Sequence, residues 1–246
     1  MPNIVVFSPH PDDEVLACGG TIAKKLSQKY CVFIVFMTDG ASGPEYSRYG
    51  KASGLTSEQL KEIRKQEAIN ANTILGVYQK NLIFLGIEDR KLRENREKAE
   101  ERVREILNKI CPIEVYFPHK NDPNEDHLTT NIILENSLKN LPNQPIKYQY
   151  TIWTVDELFK NKPWLMKTWL KVRRKLTNHN ISMHHYRKVH VHISDYLPLK
   201  IKGLQKYKSQ TTLFFSDQKE PILRKSFVDK FLDNEEIFYV GLASKR

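Results

Sequence analysis

One histidine and three consecutive acidic residues stand close together near the start of the sequence. His10, Asp12, Asp13 and Glu14 lie in the stretch FSPHPDDEVLACGG, directly after the apolar run NIVVF. His10 and Asp13 are three residues apart on a proline-bent loop, so an imidazole nitrogen and a carboxylate oxygen can converge on one cation while Asp12 points elsewhere. These residue types predict a metal site with a second carboxylate beside it.

A further group of candidate ligands lies in the segment PHKNDPNEDHLTT. There, Asp126 and His127 immediately precede a helical pattern. Two histidines and one carboxylate, with one position left open, form the ligand set of a catalytic zinc ion, which activates water and polarises a carbonyl. Acidic residues also favour the first turn of a helix, so PDDE can equally be explained as a helix start. The residues alone leave both interpretations open.

The elements that carry these residues follow from the hydrophobic pattern. NIVVF (residues 3–7) and CVFIVFMT (residues 31–38) are continuous apolar runs typical of strands buried on both faces, and a helical pattern from Glu14 to Ser27 separates them. The chain therefore begins with a βαβ unit.

A helix is predicted from Ser57 to Leu75, because Thr56 and Gln59 form a capping pattern before it and Gly76 follows it.

Strands and helices continue to alternate along the first half of the chain. The run NLIFLG predicts a strand, residues 94–110 a helix with one charged face, and IEVYF (residues 113–117) a further buried strand. The predicted fold class is α/β, a mostly parallel sheet with helices on both faces. In such sheets ligands bind at the carboxyl ends of the strands, where the polar stretches after Phe7, Thr38 and Phe117 fall.

Length and composition restrict the class of protein. The 246 residues, 40% of them apolar, suit one domain, and no apolar run approaches the roughly 18 residues of a membrane span. The N-terminus lacks the cationic start of a signal peptide, so a cytoplasmic location is expected. Cys18, Cys31 and Cys111 are widely spaced, which argues against a disulfide framework or a cysteine zinc site.

The basic character of the chain belongs to one segment. The net charge is +10, yet residues 160–188 contain nine Lys or Arg residues and no acidic residue, and removing these nine leaves 30 basic against 29 acidic residues. We interpret residues 1–246 as a single domain with a basic insertion at about 158–188. If PWLMKTWLKVRRKL in this insertion is helical, it has an apolar stripe and a basic stripe, a layout that suits an acidic membrane surface or a phosphorylated ligand. The alternative is an apolar stripe packed on the domain, with the cations facing water.

The stretch PHPDDEVLACGGTI resembles, almost residue for residue, the signature of the PIG-L/LmbE-like zinc-dependent de-N-acetylases. The resemblance continues through MTDGASG, RKQEAINANTILGV, LIFLGIEDRKL, DPNEDH, YQYTIW and KYKSQ. It implies a Rossmann-like fold, one Zn²⁺ per chain and an N-acetylglucosamine-type amino sugar as substrate. Only the stretch from about residue 158 to residue 188 differs from the shorter members.

Carried over position by position, the resemblance implies a role for each matching residue. The zinc ligands would be His10, Asp13 and His127, and Asp12 would be the general base that takes a proton from water. Glu14 and Asp126 would hold these ligands in place without binding the metal themselves. Arg64, with Asp89 as a weaker candidate, would contact the substrate's hydroxyls.

One position departs from the family pattern. Members commonly carry histidine three residues before the last ligand, as in HPDH, whereas this chain has Asn124 in NEDH. That histidine is assigned to stabilising the oxyanion or helping the leaving amine, and an amide can donate a hydrogen bond but not a proton at neutral pH. We therefore expect Asp12 to return its proton to the amine, or another group such as His119 to substitute, or activity to be reduced or lost.

Other polar residues fit structural roles better. His190 and His192 alternate along a predicted strand, and His184 and His185 lie in the basic segment. Histidines in such places are more often solvated or partly buried than metal ligands. GASGP after Asp39 lacks the pattern of a phosphate-binding loop, so we interpret it as a substrate-side loop.

Three functions compete at this point. The first is a zinc hydrolase that removes acetyl from an amino sugar. If this sugar carries a phosphate or a lipid, the basic insertion would contact that group. The second is an anion-binding protein, on membrane or nucleic acid, with a vestigial site, and the third is a zinc amidohydrolase for a non-sugar amide. The four residues of the ligand set and base are all present, which favours an enzyme. No nucleic-acid partner is expected, peripheral contact with acidic membrane through residues 160–188 is a hypothesis, and the sequence is compatible with an oligomer.

Overall fold

The protein is described by a computed structural model of the 246-residue chain. The structure describes residues 1–43, 53–154, 157 and 186–242. Seven strands in these residues form one sheet, in the order β3-β2-β1-β4-β5-β7-β6. They are β1 (Asn3–Ser8), β2 (Cys31–Thr38), β3 (Leu82–Ile87), β4 (Glu114–Pro118), β5 (Ile146–Tyr150), β6 (Tyr186–His192) and β7 (Glu235–Gly241).

The first five strands are parallel to one another. β1 lies at the middle of this group, pairing with β2 on one side (Ile4 opposite Val32) and with β4 on the other (Ile4 opposite Glu114). β7 then runs antiparallel to both β5 and β6. The mostly parallel α/β fold predicted from the sequence is confirmed, and the antiparallel strand is β7, for which the sequence pattern made no prediction.

The helices lie between the strands. The longer ones are α1 (Asp13–Ser27), α2 (Ser57–Leu75), α3 (Arg96–Ile110), α4 (Glu125–Leu138) and α5 (Leu197–Leu204), followed by the short α6 (Lys208–Thr211) and α7 (Lys225–Val228); 3₁₀ turns lie at Gln79–Asn81 and Asp229–Phe231. α2 has the predicted bounds, because Thr56 and Gln59 form a reciprocal capping box and Gly76 ends the helix at φ 94°.

Two apolar clusters, one on each face, hold the helices on the sheet. The first joins alternate residues of β1 and β2, such as Ile4 and Ile34, to α1, α2 and Leu204 of α5. The second joins the intervening residues, such as Val5 and Val35, to α3 and α4. Period-two alternation places successive strand residues on opposite faces, so continuous apolar strands require helices on both sides.

The reversal of strand order between β1 and β4 positions the candidate site. β2 and β3 extend the sheet to one side of this pair, and β5 extends it to the other. In sheets of this kind, ligands bind outside the carboxyl ends of the strands at which the order reverses, which here are β1 and β4. We call residues 9–13, from the end of β1 to the first residue of α1, the β1 loop, and residues 119–127, from the end of β4 into the first turn of α4, the β4 loop.

Some expectations concern residues outside the described part of the chain. Most of the basic insertion, with His184 and His185 and the striped segment, falls there, whereas Arg187 and Lys188 lie in β6. Cys18, Cys31 and Cys111 are free. Among the described residues, the helices are either too short or too polar to cross a bilayer.

Candidate metal centre

The β1 loop carries the first two candidate ligands. β1 ends at Ser8, and α1 begins at Asp13, so His10 and Asp13 flank the turn into the helix. Asp12 occupies the N-cap position with φ 125° and ψ −31°, a backbone conformation that residues other than glycine rarely adopt. Its carboxylate makes no capping hydrogen bond. Asp12 is therefore not explained as a simple helix cap, whereas Asp13 and Glu14 do lie in the first turn of α1, as the helix-start interpretation expects.

The β4 loop carries the third candidate ligand. Asn124 caps α4, since its Oδ1 accepts hydrogen bonds from the backbone N–H groups of Asp126 at 2.9 Å and His127 at 3.4 Å. This cap places His127 in the first turn of the helix, where its side chain is fully buried. Asparagine at position 124 thus has a structural use that the sequence motif did not reveal.

The two loops bring three donor atoms together. His10 Nδ1 lies 3.2 Å from Asp13 Oδ2 and 3.3 Å from His127 Nε2, and the last two atoms are 3.1 Å apart. Ligand atoms of a tetrahedral ion with bonds of about 2.0–2.1 Å are themselves about 3.3 Å apart. The three side chains therefore fit a small metal ion with the fourth position open.

Carboxylates contact the remaining nitrogen of each histidine. His127 Nδ1 lies 3.0 Å from Asp122 Oδ2, and His10 Nε2 lies 3.2 Å from Asp126 Oδ2 and 3.3 Å from Asp89 Oδ1. Such contacts fix the tautomer and orientation of a metal-binding imidazole. Asp126 contacts the candidate ligand His10, and its supporting role stays a prediction. The sequence analysis missed Asp122, whose only signal was its position in DPNEDH.

The electrostatics of the cluster favour a positive charge inside it. Burial opposes the charged form of His127, but Asp122 and Asp13 raise the pKa of this imidazole to about 10. Burial likewise opposes ionisation of Asp13, yet the two histidines hold the pKa of that carboxyl well below its usual range. A bound cation would take the place of the protons that these imidazoles otherwise retain.

Asp12 lies beside the three donor residues with a different environment. Burial raises the pKa of its carboxyl to about 7, with Arg64 opposing this shift and Asp13 adding to it. Arg64 is buried, and its Nη2 donates to Pro11 O and lies 3.1 Å from Asp12 Oδ2. An oxygen with this basicity can accept a proton near neutral pH.

Glu14, in the first turn of α1, holds the β1 loop through hydrogen bonds. Its Oε2 accepts hydrogen bonds from the backbone N–H of Asp12 at 3.1 Å and from Ser8 Oγ at 3.2 Å. Its Oε1 accepts from Asn72 Nδ2 at 2.9 Å and from the hydroxyl of Tyr207. Glu14 therefore has the contacts expected of a residue that holds the loop in place.

The two residues expected to contact substrate already have protein partners. Arg64 is engaged with the β1 loop, and Asp89 is buried, with Oδ2 accepting from the N–H of Ser42 at 2.9 Å in addition to its contact with His10. Asp89 contacts the candidate ligand His10, and Arg64 contacts Asp12 beside the three donor residues. Their roles in substrate binding stay predictions.

His119, the alternative proton donor expected from the sequence, directly follows β4. Burial and the neighbouring Lys120 lower the pKa of its imidazole to about 4, so the side chain is neutral at physiological pH. Its Nδ1 accepts the N–H of Asn121 at 3.1 Å, and its ring packs edge-on against Tyr186. This pKa disfavours a protonated His119, and the alternative in which His119 supplies a proton to the leaving amine stays a prediction.

The strand histidines lie apart from the cluster. His190 and His192 belong to β6 as predicted, and their Nδ1 atoms lie 2.8 Å and 3.0 Å from the two carboxylate oxygens of Glu235 on β7. All three residues are partly exposed, and the metal-binding groups found among the described residues do not include them. This contact bridges the last two strands of the sheet.

Known proteins share both the sequence pattern and the fold. A probable N-acetyl-alpha-D-glucosaminyl L-malate deacetylase of Bacillus cereus is 30% identical over 119 residues, 47% of this chain and 52% of that protein. A 4-oxalmesaconate hydratase of Pseudomonas putida is 29% identical over 126 residues, 51% of this chain and 47% of that protein. The chain thus matches about half the length of these curated relatives.

A solved structure extends the similarity to nearly the whole chain. The N,N'-diacetylchitobiose deacetylase of Pyrococcus horikoshii superposes with a TM-score of 0.66 and 24% identity, covering 97% of this chain and 83% of that one. At this identity the superposition shows a shared fold. The sequence model of one family, described as PIG-L: GlcNAc-PI de-N-acetylase, matches residues 5–137, which is more than half of the chain and includes all three donor residues. The protein belongs to the PIG-L family.

Proposed function

We propose that this protein is a zinc-dependent hydrolase that removes the acetyl group from an N-acetylglucosamine-type amino sugar. The observation that carries the proposal is the triangle of donor atoms from His10, Asp13 and His127, with sides of 3.1–3.3 Å, beside the buried carboxylate of Asp12. Family membership and the deacetylase names of relatives support the choice of an acetylated amine as substrate.

Zinc is the metal that the donor set favours. Two imidazole nitrogens and one carboxylate oxygen, with one position open, are typical of catalytic zinc, whereas magnesium and calcium prefer oxygen donors alone. When bound, the ion would lower the pKa of a water molecule and polarise the amide carbonyl of the substrate. One ion per chain is proposed at this site.

Asp12 carries out both proton transfers in this proposal. Asp12 accepts the proton of the attacking water, since burial raises its pKa toward neutral. The protonated Asp12 then donates to the leaving amine, because the low pKa of His119 favours its neutral form and the amide of Asn124 cannot supply a proton at neutral pH. Any hydrogen bond from Asn124 to the developing oxyanion comes from its Nδ2.

The basic insertion serves an anionic substrate or an acidic surface in our proposal. Nine basic residues without an acidic one, in residues 160–188, suit a phosphate-bearing or lipid-linked amino sugar or an acidic membrane surface. Neutralising Lys167, Lys171, Arg173 and Arg174 should raise KM for an anionic acetyl sugar in a salt-sensitive way and leave a small neutral one unaffected. Equal effects on both substrates would remove the insertion from substrate binding.

An acetate-release screen tests the function directly. Zinc-loaded protein is assayed with free, nucleotide-linked, inositol-linked and lipid-linked N-acetylglucosamine, with an N-acetyl amino acid as the non-sugar amide and 4-oxalmesaconate as the hydratase substrate. Acetate release from at least one amino sugar is expected. Turnover confined to the amide, or hydration alone, would replace the proposal with the corresponding activity.

Two variants separate metal binding from proton transfer. Asp12→Asn should retain the metal and lose about 100-fold or more in kcat, because the amide cannot accept a proton. His127→Ala should lose both bound metal and nearly all turnover. His192→Ala on β6 is the matched control and should keep both. Wild-type turnover in Asp12→Asn, or full metal occupancy in His127→Ala, would contradict the assigned roles.

A further inference from the structure

Two residues from the C-terminal part of the chain connect to Asp12 through separate paths, the first made of hydrogen bonds and the second of hydrogen bonds and ion pairs. Tyr207 and Ser209 lie at the start of α6, in the segment KYKSQ, almost 200 positions from the β1 loop. Both side chains are fully buried although both are polar. Each donates to a buried carboxylate that in turn contacts the β1 loop or the arginine bound to it.

The first path reaches the backbone of Asp12. The hydroxyl of Tyr207 donates to Glu14 Oε1, and Glu14 Oε2 accepts the backbone N–H of Asp12 at 3.1 Å. Asn72 Nδ2 donates to the same Glu14 oxygen at 2.9 Å, which fixes the carboxylate from a second side. Tyr207 thus orients the group that holds the main chain of Asp12.

The second path reaches the carboxylate of Asp12. The backbone N–H and the hydroxyl of Ser209 donate to the two oxygens of Glu67, at 2.7 Å and 2.6 Å. Glu67 Oε2 lies 3.7 Å from Arg64 Nη1, and Arg64 Nη2 lies 3.1 Å from Asp12 Oδ2. The serine therefore fixes the carboxylate that faces the guanidinium contacting Asp12.

Asp12 needs such support because its backbone conformation is unfavourable. An aspartate at φ 125° and ψ −31° lies outside the regions that non-glycine residues ordinarily populate. Conformations of this kind persist only where surrounding contacts impose them. One path acts on the main chain and the other on the side chain, so together they restrict both parts of the residue.

We propose that Tyr207 and Ser209 are positioning residues for Asp12, and that α6 sets the geometry of the general base from the opposite end of the sequence. The inference rests on the proposed function only where turnover is the readout. A displacement of about 1 Å in a catalytic group can cost 10²-fold in rate. Loss of either path should therefore lower kcat.

A double-mutant cycle separates positioning from general stability. Tyr207→Phe and Ser209→Ala should each lower kcat about tenfold or more, with KM and metal content unchanged. In the Asp12→Asn background the same changes should have no further effect on kcat, because there is no base left to position. An equal loss in both backgrounds would overturn the proposal, since a merely structural role does not depend on Asp12.

Matched controls exist elsewhere in the core. Tyr116 is as buried as Tyr207 and its hydroxyl donates to the buried Glu114 Oε2 at 2.7 Å, at the amino end of β4, away from the site. Ser137 is a buried serine late in α4, and its hydroxyl has no hydrogen-bond partner in the described chain. Tyr116→Phe and Ser137→Ala should leave kcat at the wild-type level.

Amide hydrogen exchange gives a readout that requires no substrate. In Tyr207→Phe the amide of Asp12 should exchange about tenfold faster than in the wild type, whereas Tyr116→Phe should leave it unchanged. Unchanged exchange in folded Tyr207→Phe would overturn the first path even if the protein released no acetate from any sugar. If Tyr207→Phe does not fold, Ser209→Ala carries the kinetic test.

Discussion

The two loops that form the metal centre are held in place by different means. The β4 loop depends on neighbours close in sequence or on the adjacent strand end: Asn124 caps its own helix, and Asp122 Oδ2 accepts the N–H groups of Ile152 and Trp153 at 2.9 Å and 3.0 Å. The β1 loop depends on remote residues, Arg64 of α2 and, through Glu14, Tyr207.

The difference matters because the two loops have different tasks. The β4 loop presents a ligand in ordinary helical geometry, which a local cap can fix. The β1 loop presents two ligands and also an aspartate at φ 125°, which local interactions do not favour. We infer that the strained half of the site requires contacts from the C-terminal part of the chain.

The helix that continues the β1 loop shows the same dependence. Glu236 of β7 accepts the backbone N–H groups of Gly20 and Thr21, in the middle of α1, at 2.9 Å and 2.8 Å. Lys200 of α5 lies 2.7 Å from the same carboxylate, and both side chains are almost fully buried. This ion pair therefore joins α1 to two elements near the C-terminus.

The largest expected effect comes from breaking this ion pair. Lys200→Met should destabilise the protein by about 3–5 kcal/mol, because Glu236 would remain as a buried carboxylate without its cation. Urea unfolding provides the measurement. Lys147→Met is the control, because Lys147 lies 2.8 Å from Glu135 in a partly exposed pair and should cost less than about 1 kcal/mol. Similar losses in both variants would show that α1 does not depend on the C-terminal elements.

The same contrast decides what the sequence could predict. The bounds of α2 followed from Thr56, Gln59 and Gly76, whose capping chemistry is local. The grouping of candidate ligands followed from residue types and strand ends, and the family signature supplied their proposed roles. The conformation of Asp12 and its hydrogen-bonded path to Tyr207 could not be predicted, because a contact across 193 positions of the chain leaves no local pattern.

A smaller effect should distinguish the carboxylates behind the two histidines. Asp122→Asn should weaken metal binding about 10–100-fold, since His127 Nδ1 would lose the charged partner that orients it and raises its basicity. Asp126→Asn should cost less, because Asp89 also contacts His10 Nε2. Competition with a chromogenic chelator measures both affinities. Equal losses would mean that Asp89 does not share the task at His10.

The smallest expected effect concerns Asn124, where the helix cap and the chemistry can be separated. Asn124→Ala removes the acceptor of the Asp126 and His127 N–H groups and should cost about 1 kcal/mol in the free energy of unfolding. Asn124→Asp keeps the cap, so stability should hold while kcat falls, because a negative charge would lie near the developing oxyanion.

The histidine variant completes this last comparison. Asn124→His should cost about as much stability as Asn124→Ala, since histidine is a poor cap, yet turnover should be retained or increased because an imidazolium can donate to the leaving amine. Thermal unfolding and acetate release, measured on the same zinc-loaded samples, separate the two effects. A folded, metal-bound Asn124→His variant without activity would show instead that the β4 loop is adapted to asparagine, and that Asp12 alone must carry the proton to the amine.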